Sequence, residues 1–519
     1  MKQRKLLSII LIVCLLLCAC KAQQSKPAAS APSVQIEGQG TEKDPYRIRT
    51  AEELFAAAER LNSESGNKNP YSDAYYLLEA DIDLGRWEWV PFKEIRGVFD
   101  GGGHTITSLA VVDSADGCYG LIGKVYGGTV KDLTVESSFI VADKAKAPIA
   151  GAIVGTMING VISNCHVGED VTVRSSYQAG GIVGSVHGDS ALISDCTNDA
   201  MVWSTSNVGS AGGIAGNIKG NIKNCVNQGE VQSEGDAGGI SDTIYGHAEN
   251  CENRGAVHAR RYAGGICCSF GDGALNAQSN DTGVSIKNCR NSGSISSETR
   301  PAAGIAASFS MGTIAGCTNS GEILADNEGG GIFGYFQPSA FGTAAEEASI
   351  VDCINSGSVT SANGFIYDVG GIGGSIAAEG ACVYVKNCVN TGSINSPNSD
   401  SAGGVIGSVT SSVSGSAAVF ISCENRMEVC GKKHVGGILG SAQSLSPRDE
   451  ILLEVRFERC TNIGTVKGIY RECLVGGITG GDDRGMVTFS FDDCVNEGKL
   501  LAEAGLFYSD DLLPVMPKN

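Results

Sequence analysis

The sequence lacks the patterns by which many catalytic and nucleotide-binding sites are recognised. None of its six histidines is followed by glutamate, so the His-Glu-x-x-His motif of zinc peptidases is absent. No Gly-x-Ser-x-Gly nucleophile turn lies in an alternation of strands and helices. The stretch 100–104 is rich in glycine, but it has neither the Lys-Ser/Thr of a phosphate loop nor a following helix, and we interpret it as a turn. We therefore expect a protein without a cofactor that is not an enzyme, with a carbohydrate-active enzyme as the alternative.

Positive charge is also scarce. The 38 Lys and Arg residues face 57 Asp and Glu residues, which gives a formal net charge of −19. A surface this acidic repels phosphate backbones and anionic lipid faces. We expect no nucleic-acid partner.

Only one long apolar run is present, and it spans the twelve residues Leu6–Leu17. It follows a basic N-terminus and is too short to cross a bilayer as a mature helix. These are the features of an export signal. The basic residues before it are Lys2, Arg4 and Lys5.

The four residues Leu17-Cys18-Ala19-Cys20 resemble a bacterial lipobox. The resemblance implies that residues 1–19 are a lipoprotein signal peptide and that Cys20 is diacylated and held in the membrane. An ordinary secretory signal is the alternative, and the protein is exported in both cases. Residues 20–37 are rich in Ala, Ser, Gln and Pro and predict a flexible tether. Loss of residues 1–19 removes three positive charges, so −19 becomes −22.

One segment is repeated along most of the chain. Its clearest copy opens with Gly212-Gly213-Ile214 and continues through Asn224-Cys225-Val226-Asn227; the next copy opens 26 residues later. Eleven such Gly-Ile/Val openings occur between Gly151 and Gly477. Self-similarity of this period is typical of a solenoid.

Within one copy the apolar positions predict three short strands. Ile214, Gly216 and Ile218 share one face of the first strand, and Val231 marks the third. In the second strand Ile222 and Cys225 are three residues apart, so both point inward only if the chain bulges at Asn224. We therefore predict an all-β fold, a right-handed parallel β-helix of three-strand coils with about twelve rungs over residues 111–505.

Eleven cysteines occupy equivalent positions in successive copies. Metal sites or disulfides are one interpretation, but no histidine follows the cysteine spacing, and like positions on parallel strands have poor disulfide geometry. A buried column of small apolar side chains is the interpretation we prefer, and we predict no metal. The eleven are Cys165, Cys196, Cys225, Cys251, Cys289, Cys317, Cys353, Cys388, Cys423, Cys460 and Cys494.

Ten of these cysteines are followed two residues later by asparagine, the exception being Val167 after Cys165. Asparagine tolerates left-handed backbone at a corner, and its amide can bond to the asparagine of the next coil. This pattern predicts a structural asparagine ladder.

The Gly-Gly-Ile-x-Gly openings and Asn-Cys-x-Asn-x-Gly centres resemble the GLUG-motif proteins of bacterial cell surfaces. The resemblance covers about residues 38–505. It implies a surface-exposed, adhesin-like β-helix. GLUG repeats also flank some secreted peptidases, so the resemblance implies architecture more than function.

Both ends of the repeat region need covering, since an open β-helix end is an aggregating edge. We interpret residues 38–110 as an N-terminal α/β cap, in which Thr50 and Glu53 form a capping box for a helix. Residues 506–519 are predicted to form a C-terminal cap or tail. Trp87 and Trp89 could stack on a sugar, but packing of the cap is the preferred interpretation.

Insertions concentrate at one corner of the coil. The distance from the opening glycines to the register cysteine varies from 12 to 24 residues, whereas that from the cysteine to the next opening varies only from 14 to 18. Insertions on one face often mark a binding face. One of them holds Tyr335, Phe336 and Phe341, which could stack on a sugar or dock a protein, or else only fold the loop onto the rod.

Three functions remain open from the sequence. The first is a lipid-anchored surface protein that binds a glycan or a protein at the insertion side, in an adhesive or scaffolding role. The second is a carbohydrate-active enzyme, for which the loop acids Asp482 and Asp483 are the candidates that we keep. The third is an inert spacer of the cell envelope.

Overall fold

A computed structural model describes most of the chain from residue 34 onward. No helix in this described part is long and apolar enough to cross a membrane. The described residues are 34–63, 69–85, 87–112, 116–143, 145–271, 284–338, 349–361, 368–445, 453–470, 473–481 and 487–502.

The chain winds into a parallel β-solenoid with four sheets, which we number I to IV in the order that one coil visits them. In one coil, Ser210–Gly212 belongs to sheet I, Ala215–Ile218 to sheet II and Val231–Ser233 to sheet IV. The intervening strands Asn221–Lys223 and Val226–Asn227 both belong to sheet III. Every strand pairs in parallel with its equivalents in the neighbouring coils, as between Val231 and Val257. The predicted parallel β-helix is confirmed.

The strands of each sheet are as follows. Sheet I contains Cys118–Tyr119, Ile149–Gly151, Gln178–Gly180, Ser210–Gly212, Asp236–Gly238, Ala263–Gly264, Ala302–Ala303, Gly329–Gly330, Asp368–Gly370, Ser401–Gly403, His434–Gly436 and Leu474–Gly476. Sheet II contains Ile122–Tyr126, Val154–Ile158, Val183–His187, Ala215–Ile218, Ser241–Ile244, Cys267–Phe270, Ala306–Phe309, Phe333–Phe336, Gly373–Ala377, Ile406–Ser411 and Leu439–Ser444. Sheet III contains Tyr46–Ile48, Tyr75–Leu78, Ile82–Asp83, Val98–Asp100, Thr105–Thr107, Thr129–Glu136, Val161–Val167, Leu192–Ser194, Thr197–Asn198, Asn221–Lys223, Val226–Asn227, His247–Glu249, Glu252–Asn253, Ser285–Lys287, Arg290–Asn291, Thr313–Ala315, Thr318–Asn319, Ser349–Val351, Ile354–Asn355, Cys382–Lys386, Val389–Asn390, Ser416–Ile421, Glu424–Asn425, Leu453–Glu458, Thr461–Asn462, Val487–Asp492 and Val495–Asn496. Sheet IV contains Ala110–Val111, Phe139–Ala142, Thr172–Ser175, Met201–Ser204, Val231–Ser233, Val257–Ala259, Ile295–Ser297, Ile323–Ala325, Val359–Ser361, Ile394–Asn395, Val429–Gly431, Val466–Gly468 and Leu500–Ala502.

The three-strand coil of the sequence prediction is wrong in one respect, because sheet I is an additional face. The chain was expected to run straight through the Gly-Gly-Ile opening. It bends there instead, so that Ser210–Gly212 pairs in sheet I and Ala215–Ile218 pairs in sheet II. Sheet I strands are only two or three residues long and contribute at most one side chain to the apolar core, such as Ala211. That is too little pattern for a strand to be recognised from sequence.

The bulge predicted before each cysteine is confirmed. Asn224 has a φ of 54°, and left-handed residues recur at the equivalent positions, among them Asn250, Asn288 and Asp352. This conformation breaks the strand alternation, so that Ile222 and Cys225 are both buried. The left-handed role assigned to the ladder asparagines is wrong, since those residues lie in ordinary strand backbone.

The register cysteines form a buried column, as predicted. All eleven are buried except Cys494, which is half-buried, and none forms a disulfide. Each thiol donates to the carbonyl oxygen two residues earlier, at 3.2 Å for Cys196 and 3.6 Å for Cys460. The thiols therefore act as small core side chains that also satisfy a backbone acceptor at the bulge.

The asparagine ladder is confirmed in detail. From Asn198 to Asn496, each side-chain amide donates to the Oδ1 atom of the next asparagine at 2.8–2.9 Å. The same nitrogen also donates to the carbonyl oxygen two residues later in its own coil, as Asn319 does to Gly321 at 3.0 Å. Asn227 and Asn355 have no exposed surface. Both hydrogens of the amide and its oxygen are thus satisfied inside the rod.

The second opening glycine is explained by this ladder. A Cβ atom on Gly213 would lie 2.1 Å from the carbonyl oxygen of Gly239 and 2.3 Å from Cγ of Asn227. Glycine serves both positive φ and close backbone approach at corners, and at this position the requirement is close approach. The first repeat supports this reason, because it has Ala152 in place of the glycine and Val167 in place of the asparagine.

The N-terminal block contains the helix Ala51–Ser63, which begins with the predicted capping box. The Thr50 hydroxyl accepts a hydrogen bond from the Glu53 amide, and the Glu53 carboxylate accepts one from the Thr50 amide, both at 3.2 Å. The buried helix residues join the same core as Trp89, which is itself buried. The strands of this block pair within sheet III, so the block also supplies its first strands. The buried helix residues are Leu54, Ala57, Ala58 and Leu61.

Replacing one ladder residue tests the ladder. Asn319→Ala leaves a donor of Asn291 and acceptors of Asn355 and Gly321 without partners in a dry column. We expect the free energy of unfolding to fall by about 3 kcal/mol. Urea unfolding of the full chain followed by circular dichroism measures this.

The matched control is Asn395→Ala, since Asn395 is an exposed strand residue. The control variant should unfold at the same urea concentration as the wild type. Equal unfolding midpoints for the two variants would contradict a stabilising ladder.

Candidate functional site

The structure separates the aromatic residues that the sequence grouped as a binding loop. Tyr335 and Phe336 lie in a strand of sheet II, not in a loop. Tyr335 is half-buried on the outward face, and its hydroxyl donates to Gln337 at 3.1 Å. The predicted residues Cys20, Phe341, Asp482 and Asp483 lie outside the described residues.

The prediction that Phe336 contacts a ligand is wrong. Its side chain has no exposed surface and stacks on Phe309 with ring centroids 3.9 Å apart. The two residues are register partners in neighbouring coils, so the strand alternation that presents Tyr335 outward turns Phe336 into the core.

A polar corner between sheets I and II contains Tyr335, and we call it the corner groove. One wall is formed by the residues that lie two positions before the first residue of each Gly-Gly-Ile opening. The other wall is formed by the third residue of each sheet II strand, whose side chain points outward. The first wall contains Cys118, Ile149, Gln178, Ser210, Asp236, Tyr262, Pro301, Glu328, Asp368, Ser401, His434 and Leu474. The second wall contains Lys124, Thr156, Ser185, Asn217, Thr243, Ser269, Ser308, Tyr335, Ser375, Ser408 and Ser441.

The corner is concave because the second residue of most sheet II strands, which lies beneath the first wall, is glycine. A Cβ atom on Gly374 would lie 3.0 Å from Cβ of Glu328, and one on Gly334 would lie 2.7 Å from Cβ of Pro301. In these coils the first-wall side chain thus lies over the sheet II glycine of the next coil. As a result, outward-facing residues such as Ser441 are buried.

Hydrogen bonds join the two walls. Ser408 donates to the carboxylate of Asp368 at 2.5 Å, and the Ser401 and Ser441 hydroxyl oxygens are 2.7 Å apart. The Cys118 sulfur lies 3.4 Å from the Thr156 hydroxyl. The groove is therefore a row of fixed hydroxyl and carboxyl groups rather than a set of mobile surface side chains.

Acidic side chains give the middle of the groove its electrostatic character. Burial raises the pKa of Glu328 to about 7, and the nearby Asp368 carboxylate adds to this. Burial also raises the pKa of Asp368, although hydrogen bonds from Ser408 and Ser401 oppose the shift. Glu328 and Asp368 precede register-paired residues of neighbouring strands, so the two carboxyl groups lie in adjacent coils. At neutral pH such a pair contains both a proton donor and acceptor oxygens.

Two tyrosines lie in the same stretch. Arg261 and Arg300 each place the guanidinium carbon 5.9 Å from the ring centroid of Tyr262. Burial raises the pKa of Tyr335, and the Glu328 carboxylate adds to this. Tyrosine faces beside carboxylates and hydroxyls suit a ligand that has both apolar ring faces and many hydroxyl groups.

Sequence reasoning missed the corner groove because the bend at the opening glycines was not predicted. Without the bend, the residues on its two sides belong to one strand and cannot form two walls. A signal was present, since hydroxyl residues recur at the outward position of sheet II in nearly every repeat. The predicted insertion corner is a different one, because the long segments follow sheet II and precede sheet III, as between Phe270 and Ser285.

The comparisons with known proteins add little to this description. No family model matches the chain. A stretch of 162 residues is 27% identical to halomucin of Haloquadratum walsbyi; it is 29% of this chain and 2% of halomucin. The crystal structure of a candidate immunoglobulin A1 protease from Bacteroides ovatus is similar with a TM-score of 0.31 and 19% identity, over 62% of this chain and 79% of that one. This similarity is too distant to carry an argument.

The raised pKa of Glu328 predicts a pH-dependent effect of Glu328→Gln. Between about pH 4.5 and 7 the folded protein keeps a proton that the unfolded chain releases, so wild-type stability falls as pH rises and the loss is complete above about pH 7. Glutamine does not titrate. We expect the variant to be more stable than the wild type by about 2 kcal/mol near pH 8 and indistinguishable near pH 4.

Thermal unfolding at the two pH values measures this difference. The control is Glu322→Gln, since Glu322 is exposed and directly precedes the sheet IV strand Ile323–Ala325. It should change stability equally at the two pH values. A stabilisation by Glu328→Gln that does not depend on pH would show that Glu328 is not held in a proton-retaining site.

Proposed function

We propose that the protein is a lipid-anchored bacterial surface protein that binds an extended glycan along the corner groove. The observation that carries this proposal is the row of buried and half-buried hydroxyl and carboxyl groups with two tyrosines. The eight sheet I strands from Ser210 to His434 span about 34 Å at the usual strand spacing. That length suits a polymer better than a small molecule. The export signal, the lipobox resemblance and the GLUG resemblance support the location.

A glycan fits the groove better than a protein does. Carboxylates and serine hydroxyls accept and donate hydrogen bonds to sugar hydroxyls, and tyrosine rings pack on sugar faces. The groove has no large exposed apolar residue among its described members, whereas the core of a protein interface is apolar and aromatic. The acidic charge of the chain favours neutral or basic sugars over acidic ones.

A second function, cleavage of the same polymer, has one specific observation in its favour. Glu328 retains a proton near neutral pH, and Asp368 lies in the adjacent coil. Glycoside hydrolysis uses a protonated carboxyl group as general acid and a second carboxylate nearby. Release of reducing ends that is lost in Glu328→Gln would favour this function over binding alone.

A glycan array tests the binding proposal. We expect Tyr335→Ala and Tyr262→Ala each to weaken binding about 5- to 30-fold, because each removes a ring face from the groove. The matched control is Tyr470→Ala, since Tyr470 is exposed and lies outside the groove. Binding that is lost equally in all three variants, or absent from the wild type, would leave the spacer function as the better account.

Cys20→Ser tests the anchor. The variant has no thiol for diacylation, so we expect the protein to leave the membrane fraction and to lose incorporation of labelled fatty acid. Cys18→Ser is the control, because Cys18 lies before the proposed cleavage point. Continued fatty-acid incorporation in Cys20→Ser would contradict lipid attachment at this residue.

A further inference from the structure

In one stretch of the corner groove, the sheet II residues beneath the first wall are not glycine. The second position of the sheet II strands is glycine in eight of its eleven strands. The three exceptions are consecutive, namely Asp242, Cys268 and Ala307. A side chain at this position points into the groove, where the first-wall residue of the preceding coil lies over it. Two of the exceptions therefore place metal-binding side chains where the fold otherwise has only backbone.

Asp236 of the first wall completes the cluster. It lies in the coil before Cys268 and in the same coil as Asp242, so the same geometry brings it to both. One carboxylate oxygen of each aspartate and the Cys268 sulfur all lie within 4.8 Å of one another. We call these three residues the Asp-Asp-Cys cluster.

The hydrogen bonding of the cluster leaves one oxygen without a partner. Asp242 Oδ2 accepts a hydrogen bond from Thr243 at 3.2 Å, and the Cys268 thiol and the Ser210 hydroxyl lie near the same carboxylate. Asp242 Oδ1 is nevertheless buried and forms no hydrogen bond of ordinary geometry among the described residues. A buried carboxylate oxygen without a donor is costly. Asp236 is better satisfied, since its Oδ1 accepts from the Tyr262 amide at 3.2 Å and lies 3.5 Å from Arg261 Nε.

The negative charge of the cluster is only partly balanced by protein cations. Arg261 pairs with Asp236 and Arg300 also lies close enough to act on it, but no ion pair to Asp242 is found in the described part of the chain. Two acidic side chains and a thiol that converge in a partly buried corner, with one oxygen unsatisfied, require either retained protons or a bound cation.

We propose that Asp236, Asp242 and Cys268 bind one divalent cation of the zinc class. A cysteine sulfur favours zinc and similar borderline metals and disfavours calcium and magnesium, which take oxygen ligands. Binding converts the Cys268 thiol to a thiolate, and its proton is released to solvent. Three protein ligands leave a fourth position that faces the groove, as in zinc sites that keep an open position. The site does not depend on glycan binding.

The 4.8 Å separation is an upper limit on the distances between the ligand atoms of the cluster. Zinc–ligand bonds of about 2.0–2.3 Å place tetrahedral ligand atoms roughly 3.5 Å apart, so binding requires these atoms to approach one another by at most about 1.3 Å. We expect side-chain rotation to be sufficient for this approach.

The repeats themselves supply conservative variants for the test. Asp242→Gly and Cys268→Ala introduce residues that occupy the same position in other coils, and Asp236→Ser introduces the residue of the preceding coil, Ser210. We therefore expect all three variants to fold. Cys430→Ala is the matched control, because Cys430 is a half-buried free cysteine in sheet IV.

The experiment is metal binding by the purified full chain after removal of metal with a chelator. We expect about one equivalent of Zn²⁺ per chain, and with Co²⁺ a near-ultraviolet sulfur-to-metal charge-transfer band. Cys268→Ala should abolish the band, Asp242→Gly and Asp236→Ser should each weaken Zn²⁺ binding at least 10-fold, and Cys430→Ala should change neither. Zn²⁺ should also raise the unfolding temperature of the wild type and of Cys430→Ala only.

Three results would overturn the proposal. They are a wild-type chain that binds no Zn²⁺ at micromolar concentration, a cobalt band that survives Cys268→Ala, and Ca²⁺ binding that displaces Zn²⁺ from the same residues. Circular dichroism of each variant distinguishes a lost ligand from a lost fold.

Discussion

The in-register column of buried asparagines is the interaction on which the rest of the structure depends. Each amide joins the turn of its own coil to the asparagine of the next, so every coil is held both in shape and in position over its neighbour. A displacement by one residue in any coil would leave two amides unsatisfied in a dry interior. The column therefore fixes the register of all four sheets, and this register brings the thiols together inside and the groove residues together outside.

Much of this architecture could be predicted because the same residue pattern occurs in many copies of the repeat. A buried Cys225 or Asn227 is ambiguous in one copy, but the same residue in ten copies predicts a column. The bulge at Asn224 followed from simple strand alternation, and its left-handed backbone has the expected residue types. The bend at Gly212-Gly213 could not be predicted, because glycine has no side chain whose polarity would indicate which face of a strand it occupies. The additional sheet, the concave corner and the inward side chain of Phe336 all follow from that bend.

The candidate site lies at this bend, whereas the long insertions predicted to mark a binding face lie largely outside the described residues. Insertions change in length between coils, whereas the corner groove is built from positions that recur in every coil. The function proposed for it therefore rests on substitutions within a constant frame, as where Asp242 and Cys268 replace glycine and where Glu328 and Asp368 occupy adjacent coils. A long groove of hydroxyl and carboxyl groups with local specialisations suits a polymeric ligand, and the same frame allows neighbouring coils to differ in chemistry without loss of stability.

The most direct test of the account is the reactivity of the cysteines in the folded protein. The full chain is treated with a thiol-reactive mass tag under native conditions and after denaturation, and each cysteine is quantified by peptide mass spectrometry. If the coils stack as described, the central column from Cys196 to Cys460 stays unlabelled in the folded protein, whereas the half-buried Cys382 and Cys430 are labelled. All of them react after denaturation. Labelling of the central column at the rate of Cys430 in the folded chain would contradict a closed, in-register interior.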